Sequence, residues 1–293
     1  MQQQSHAKET RMPLVDLHSH SHYSDGSLAP ADLVALAARA GITMLALTDH
    51  DSVAGLAEAQ VAADELGIQL VPGVELSTTW NGHSIHIVGL GIDPNEPSLQ
   101  LGLSQQAQAR ANRAKAIGER LSDLGMPGAY EGALALANSP DAISRTHYGQ
   151  WLLAEGHITN VQQAFDKYLG PRKPASVPMP WASLPEVIQW IKQAGGVAVI
   201  AHPGRYPLTR TKLRVLLADF VAAGGEAMEV ATATEKPEMI KYLAQLSRQF
   251  GLLASQGSDY HGKPAPWIAL GRFANLPSGC EPVWTRWLGE TLQ

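Results

Sequence analysis

The stretch LVDLHSH, residues 14–20, is a short apolar run that ends in chemistry-bearing side chains. Pro30 to Ala40 then repeats apolar residues at helical spacing, with Gly41 as a natural C-cap, so the segment reads strand, loop, helix. The pattern recurs at once. Thr43 to Thr48 is a second buried strand leading into Asp49-His50-Asp51, Ser52 to Leu66 a second helix stopped by Gly67, and Gln69 to Glu75 a third strand. Strands alternating with helices predict a parallel sheet covered by crossover helices.

Trp80-Asn81-Gly82-His83 carries a turn signal, and Ile85 to Leu90 is β-rich, so a hairpin is expected here. After Asp93-Pro94 the character changes. Gln100 to Leu124 is a long Ala/Gln/Arg-rich helical pattern, further helical stretches run to about Tyr168, and a Pro-rich segment, Pro171 to Pro180, closes them. Residues 93–176 therefore read as a helical insertion or cap domain between 13–92 and 177–293, with 1–12 as a flexible tail. The alternation resumes with helices at Leu184 to Gln193, Leu213 to Ala223 and Glu238 to Phe250, and strands at Val197 to Ala201, Ala227 to Val230 and Leu252 to Ser255. About seven strands paired with helices favour a (β/α)-type barrel over an open sheet.

Composition excludes several classes. With 45% hydrophobic and 17% charged residues the chain reads as an ordinary globular protein. No apolar run is long enough for a membrane span, and the polar start, Met1 to Arg11, lacks the apolar core of a signal peptide, so a cytoplasmic location is expected. The single cysteine, Cys280, cannot form an intrachain disulfide. A net charge of −5 argues against long duplex DNA as a partner. Ser98 to Ser176 is nevertheless locally basic, with eight Lys or Arg against six Asp or Glu, which suits a short anionic substrate. No membrane and no obligate protein partner are expected.

Nearly every cluster of candidate metal ligands falls just after an expected strand, the end at which β/α barrels build their sites. His18 and His20, followed by Asp25, come after the first strand; His50 after the second; Glu75 ends the third. The hairpin contributes His86, and later strands end in His202 and in Asp259-Tyr260-His261. In the pairs His18/His20 and Asp259/His261, period-two alternation puts both ligating groups on one face. His6, His22 and His157 lack this placement, and His83 is an odd number of positions from His86. Imidazole mixed with carboxylate and no thiolate suits manganese, iron or zinc. Three such ions held by Asp25, Glu75, Asp259 and neutral histidines would sum to about +3, attract phosphate and generate hydroxide from bound water near neutral pH.

The set His18-x-His20, Thr48-Asp49-His50, Gly73-Val74-Glu75, Ala201-His202-Pro203 and Gly257-Ser258-Asp259-x-His261 resembles the PHP (polymerase and histidinol phosphatase) superfamily over nearly the whole chain. Ile143-Ser144-Arg145-Thr146-His147, His202-Pro203-Gly204-Arg205-Tyr206 and Ala254 to Asp259 resemble its TrpH or RNase AM branch. The resemblance implies an α/β fold, a distorted (β/α)7 barrel with a helical insertion, and a trinuclear site that is usually manganese. It assigns His18, His20, Glu75 and Asp259 to one ion, Asp25, His50 and His261 to a second, and Glu75, His86 and His202 to a third, with Glu75 bridging. Asp25 departs from the better-known phosphatase pattern, in which a histidine stands. Asp16, Asp49 and Asp51 are expected to orient the histidines.

Arg145 and His147 match the branch's Arg-x-His motif and are the expected phosphate contacts, Arg145 in bidentate fashion; Lys173 and Arg205 are further candidates. The branch implies a 3′,5′-nucleoside bisphosphate phosphatase or a 5′-to-3′ exoribonuclease on short RNA, with a metal-bridging hydroxide as the attacking group. Glu75, Arg145 and His147 would carry catalysis. Two competing expectations are a small-molecule phosphomonoesterase of histidinol-phosphatase type and a noncatalytic, metal-stabilised RNA-binding module.

Overall fold

A computed structural model describes residues 14–137, 140, 143–262 and 267–288; the expected tail, 1–12, lies outside them. The chain divides into two compact units, residues 1–99 with 184–293, and residues 100–183. The first unit holds a seven-stranded sheet whose spatial order follows the chain: β1 (Val15–Asp16), β2 (Met44–Leu47), β3 (Gln69–Trp80), β4 (His83–Leu90), β5 (Val197–Ile200), β6 (Ala227–Thr232) and β7 (Leu253–Gly257). Neighbours pair parallel except at β4, which runs antiparallel to both β3 and β5. β2 and β5 are buried at every position, the mark of strands covered on both faces.

Helices α1 (Pro30–Arg39), α2 (Leu56–Leu66), α7 (Leu184–Gln193), α8 (Arg210–Ala222) and α9 (Pro237–Phe250) belong to this unit. Local chemistry sets their ends. α1 starts with proline at its first position and Asp32 in its first turn, while α2 and α9 stop at Gly67 and Gly251, both left-handed with φ of 68° and 66°. α7 buries Leu184, Val187, Ile188 and Ile191, the single stripe that helical periodicity dictates.

The β3–β4 connection is a two-residue hairpin. Asn81 and Gly82 both have positive φ, 46° and 78°, the combination a type I′ turn requires. β3 therefore runs on past Glu75 to Trp80, farther than its apolar pattern predicts.

Closure between the first and last strands is irregular but real. Leu17 N–H donates to Gln256 O (3.1 Å), Asp259 N–H to His18 O (2.9 Å) and His20 N–H to Tyr260 O (2.9 Å). Gly257 permits this approach, because a Cβ there would lie 2.4 Å from that of His18. The result is a nearly closed, distorted (β/α)7 barrel, as the sequence predicts. Val15, Leu17, Met44, Val71, Val88 and Val199 form part of its apolar core, whereas His18, His20, Thr48, Asp49 and Asp259, just beyond strand ends, and Glu75, within β3, are buried polar groups.

The second unit comprises most of α3 (Pro97–Asp123), with α4 (Ala129–Ala135), α5 (Arg145–Ala154), α6 (Val161–Ala164) and a wide turn at Phe165–Leu169. Ile117, Leu121, Tyr148, Leu152 and Leu169 are among its core residues, and the Tyr148 hydroxyl donates to Ala114 O at 2.6 Å. Among the described residues, no helix is long and apolar enough to cross a membrane.

Candidate metal centre

The segment leaving β1 keeps strand alternation. His18 and His20 are fully buried, and Ser19 between them turns away to donate to Ala46 O at 2.7 Å. Glu75 lies on β3 opposite His50, which follows β2; Glu75 N–H donates to Asp49 O (3.1 Å) and Asp51 N–H to Glu75 O (2.9 Å). His86 projects from β4, His202 follows β5, and Asp259 and His261 follow β7. Asp51, His202 and Asp259 all have positive φ, 47°, 30° and 55°. Such conformations cost a non-glycine residue about 1–3 kcal/mol, so strain is concentrated where the strands deliver these side chains.

Glu75 is the hub. Its Oε2 lies 3.2 Å from His18 Nε2, 3.3 Å from His20 Nε2 and 3.1 Å from His50 Nδ1. Its Oε1 lies 3.0 Å from both His86 Nδ1 and His202 Nε2. Asp259 Oδ1 adds contacts of 3.3 Å to His18 Nε2 and 3.2 Å to His20 Nε2. Asp25, more than half exposed, places Oδ1 3.1 Å from His261 Nε2. Among the described residues, three sets have donor atoms close enough to share an ion: His18, His20, Glu75 and Asp259; His20, Asp25, His50 and His261; and His50, Glu75 and His86.

Protons alone serve this cluster poorly, and divalent cations fit it. His18 Nε2 and His20 Nε2 stand 3.0 Å apart and aim at the same carboxylate oxygens. His50 Nδ1 and His202 Nδ1 are buried without a hydrogen-bond partner among the described residues; His50 Nδ1 is near Glu75 but out of alignment with it. Imidazole and carboxylate donors without sulfur match borderline and hard divalent ions.

The electrostatics agree. Burial opposes ionisation of Glu75, but His50, His18 and His86 outweigh it and hold its carboxyl well below the usual range. Asp259 is lowered likewise, by His18 and His20 against burial. Burial favours neutral His20, yet Asp259 and Glu75 push it up to about 9, whereas burial brings His50 down to about 4. A cation arriving here meets ionised carboxylates and displaces protons from rings.

All nine side chains expected to bind metal thus meet in one cluster: His18, His20, Asp25, His50, Glu75, His86, His202, Asp259 and His261. His83 packs instead beside Trp80, and His157 beside Trp151. Three carboxylates near the site, Asp16 and Asp49 buried and Asp51 half-buried, tie loops together. Asp16 accepts from the N–H groups of Ser258 and Gly271, both at 2.8 Å. Asp49 accepts from Ser21 N–H and from the hydroxyls of Ser21 and Ser24, and Asp51 from Ser77 N–H and hydroxyl. Ring orientation falls in part to a residue the sequence reading missed, Glu229, whose Oε1 is 2.7 Å from His18 Nδ1. Its signal was a lone acid within the apolar strand AMEVAT.

Arg205 donates to Asp259 Oδ2 and, through Nε, to Thr234 at 3.1 Å. Arg145, His147 and Lys173 belong to the helical unit. His147 Nδ1 accepts from Ser144 N–H at 3.1 Å, which leaves Nε2 as the protonated nitrogen of a neutral ring, and burial lowers its pKa. Arg145 reaches Leu169 O and sits 5.8 Å from the Phe165 ring centre. Lys173 is exposed.

A family model for the PHP domain matches residues 16–170. The chain belongs to the PHP family. Among PHP relatives it is 44% identical to a 3′,5′-nucleoside bisphosphate phosphatase from Chromobacterium violaceum, over 93% of this chain and 96% of that protein. It is 45% identical to the 5′-3′ exoribonuclease Rnm from Escherichia coli, over 94% of each. Among solved structures, an amidohydrolase from Chromobacterium violaceum with bound sulfate and no metal superposes with a TM-score of 0.81 at 43% identity, covering 95% of this chain and 97% of that one. A Bifidobacterium adolescentis protein assigned as a metal-dependent phosphoesterase gives a TM-score of 0.72 at 32% identity, covering 90% and 92%. This PHP protein is an enzyme, a metal-dependent hydrolase of phosphoester bonds.

Proposed function

We propose that the substrates are 3′,5′-nucleoside bisphosphates and short 5′-phosphorylated RNA, cleaved at a centre of three divalent ions, manganese foremost. The observation that carries the metal reading is Glu75, a fully buried carboxylate with both oxygens shared among five histidine rings. The substrate class rests on the relatives, named as a bisphosphate phosphatase and as 5′-3′ exoribonucleases, and on the local excess of basic residues in 98–176.

Bound divalent ions would supply Lewis acidity toward a phosphoryl oxygen and would lower the pKa of coordinated water. The side chains have separate tasks. Glu75 joins the ligand sets, because its two oxygens face different rings. His18 and His20, with Asp259, enclose the buried end, and Asp25, His50 and His261 the exposed end, where a substrate can enter. Arg145 would grip phosphate through its planar fork. Beside it, His147 would donate a neutral N–H from Nε2.

The test is a hydrolysis screen of chelated and Mn²⁺-reloaded protein against nucleoside bisphosphates, 5′-phosphorylated oligoribonucleotides and simple phosphomonoesters. The proposal expects Mn²⁺-dependent release from the first two groups at rates well above the third. Preferential cleavage of simple phosphomonoesters would instead support a histidinol-phosphatase type of activity. Metal-raised melting temperature with no ester cleaved would support a noncatalytic role.

A further inference from the structure

We propose that Glu229 is a positioning residue of the metal centre, locking two of its histidines at once. The inference rests on the reading of His18 and His202 as metal ligands. Glu229 is 1% exposed on β6. Its Oε1 lies 2.7 Å from His18 Nδ1, and its Oε2 accepts the backbone N–H of His202 at 2.5 Å. One carboxylate therefore spans two barrel strands that are far apart in sequence.

Each contact has a distinct effect. With Nδ1–H donating to Glu229, His18 keeps the lone pair on Nε2, the nitrogen that faces Glu75 and Asp259. A ligand whose far nitrogen is fixed in this way is held in one tautomer and made a better donor. At His202 the contact is to the backbone of a residue with φ of 30°, a conformation disfavoured for any side chain and stable only where the surroundings impose it. The Glu229 carboxylate supplies that constraint at the residue's own N–H. The strand explains how an acid comes to point inward here. The β6–β7 register shifts between Glu229 and Ala231, and a bulge of this kind re-aims side chains beside a site.

Glu229→Gln separates positioning from packing, since it keeps the shape but offers one acceptor where two N–H groups call for one each. Either His18 Nδ1–H or His202 N–H must then face the amide NH₂. Mn²⁺ affinity of the full chain, measured by competition with a chelating indicator, should fall about 10- to 100-fold, while the metal-free variant still melts cooperatively. A folded variant that binds Mn²⁺ within twofold of wild type would overturn the inference, even if its metal-free melting temperature were lower. Wild-type protein that binds no Mn²⁺ would instead overturn the underlying site reading.

A second measurement does not depend on the variant folding. In Zn²⁺-loaded wild type, long-range ¹H–¹⁵N correlation should show His18 protonated at Nδ1 and metal-bound through Nε2. A His18 protonated at Nε2, or ligating through Nδ1, would refute the proposal.

Discussion

Replacing Glu75 by glutamine removes one charge from the hub while leaving its volume nearly unchanged. The five ring nitrogens around the carboxylate lie 3.0–3.3 Å away. At 3.2 Å, the separation from His18 Nε2, a full positive charge would interact with Glu75 by about 5 kcal/mol at an effective dielectric of about 20. Desolvation of the fully buried carboxylate offsets part of this. Retaining only half of one such interaction in the transition state amounts to about 2.7 kcal/mol, or two decades in rate. Glu75→Gln should therefore lose at least about 100-fold in kcat at saturating Mn²⁺, read as phosphate release from a 3′,5′-nucleoside bisphosphate. Circular dichroism should confirm that the variant is folded. Turnover within a few-fold of wild type would contradict this estimate, because Glu75 touches five of the rings in the cluster.

Protonation gives an independent check. With His20 pushed up to about 9 from an ordinary 6.5, the ring contributes stability to metal-free protein that is full below pH 6.5 and lost as the pH rises toward 9. Denaturant melts of chelated protein should weaken over that window, whereas Mn²⁺ affinity should strengthen and loading should release protons into a weak buffer; pH-independent uptake would contradict this. Gly257→Ala places a Cβ 2.4 Å from that of His18 and should cost about 1–3 kcal/mol in a denaturant melt, with weaker Mn²⁺ binding. Arg145→Ala should raise KM about tenfold or more by removing a charge-assisted contact, and Arg145→Lys should recover little of it if the grip is bidentate. Unchanged KM would remove Arg145 from the substrate contacts.

Much of the barrel and its cluster is legible in the sequence because one signal carries both. Apolar runs such as residues 44–47 and 197–200 break at the point where a chain leaves the core, and His50 and His202 stand just beyond. The alternation of His18, Ser19 and His20 survives in the structure, with the histidines inward and the serine bonded away. What escapes is set by pairing across distant segments. Nothing near Glu229 in the chain announces that its partners are His18 and His202, and a one-residue bulge, invisible to periodicity, helps to aim it. Asp16, Asp49 and Asp51 adjoin the histidines in sequence and accept from backbone amides and serine hydroxyls, the Ser24 hydroxyl on Asp49 lying 3.4 Å from His20 Nδ1. β1 is only Val15–Asp16 as a regular ladder, because the closure beyond it is made by bonds between segments already turning into loops. α2 begins at Leu56 rather than Ser52, since residues up to Gly55 form the turn that carries the chain away from His50.

Activity of this centre requires cations lodged among Glu75, His18, His20, His50, His86, His202, Asp25, Asp259 and His261. Crystals soaked in Mn²⁺ and measured at the manganese absorption edge would show this directly. The prediction is three anomalous peaks, with Glu75 in the coordination shell of more than one. A map with no peak within bonding distance of Glu75 would contradict it.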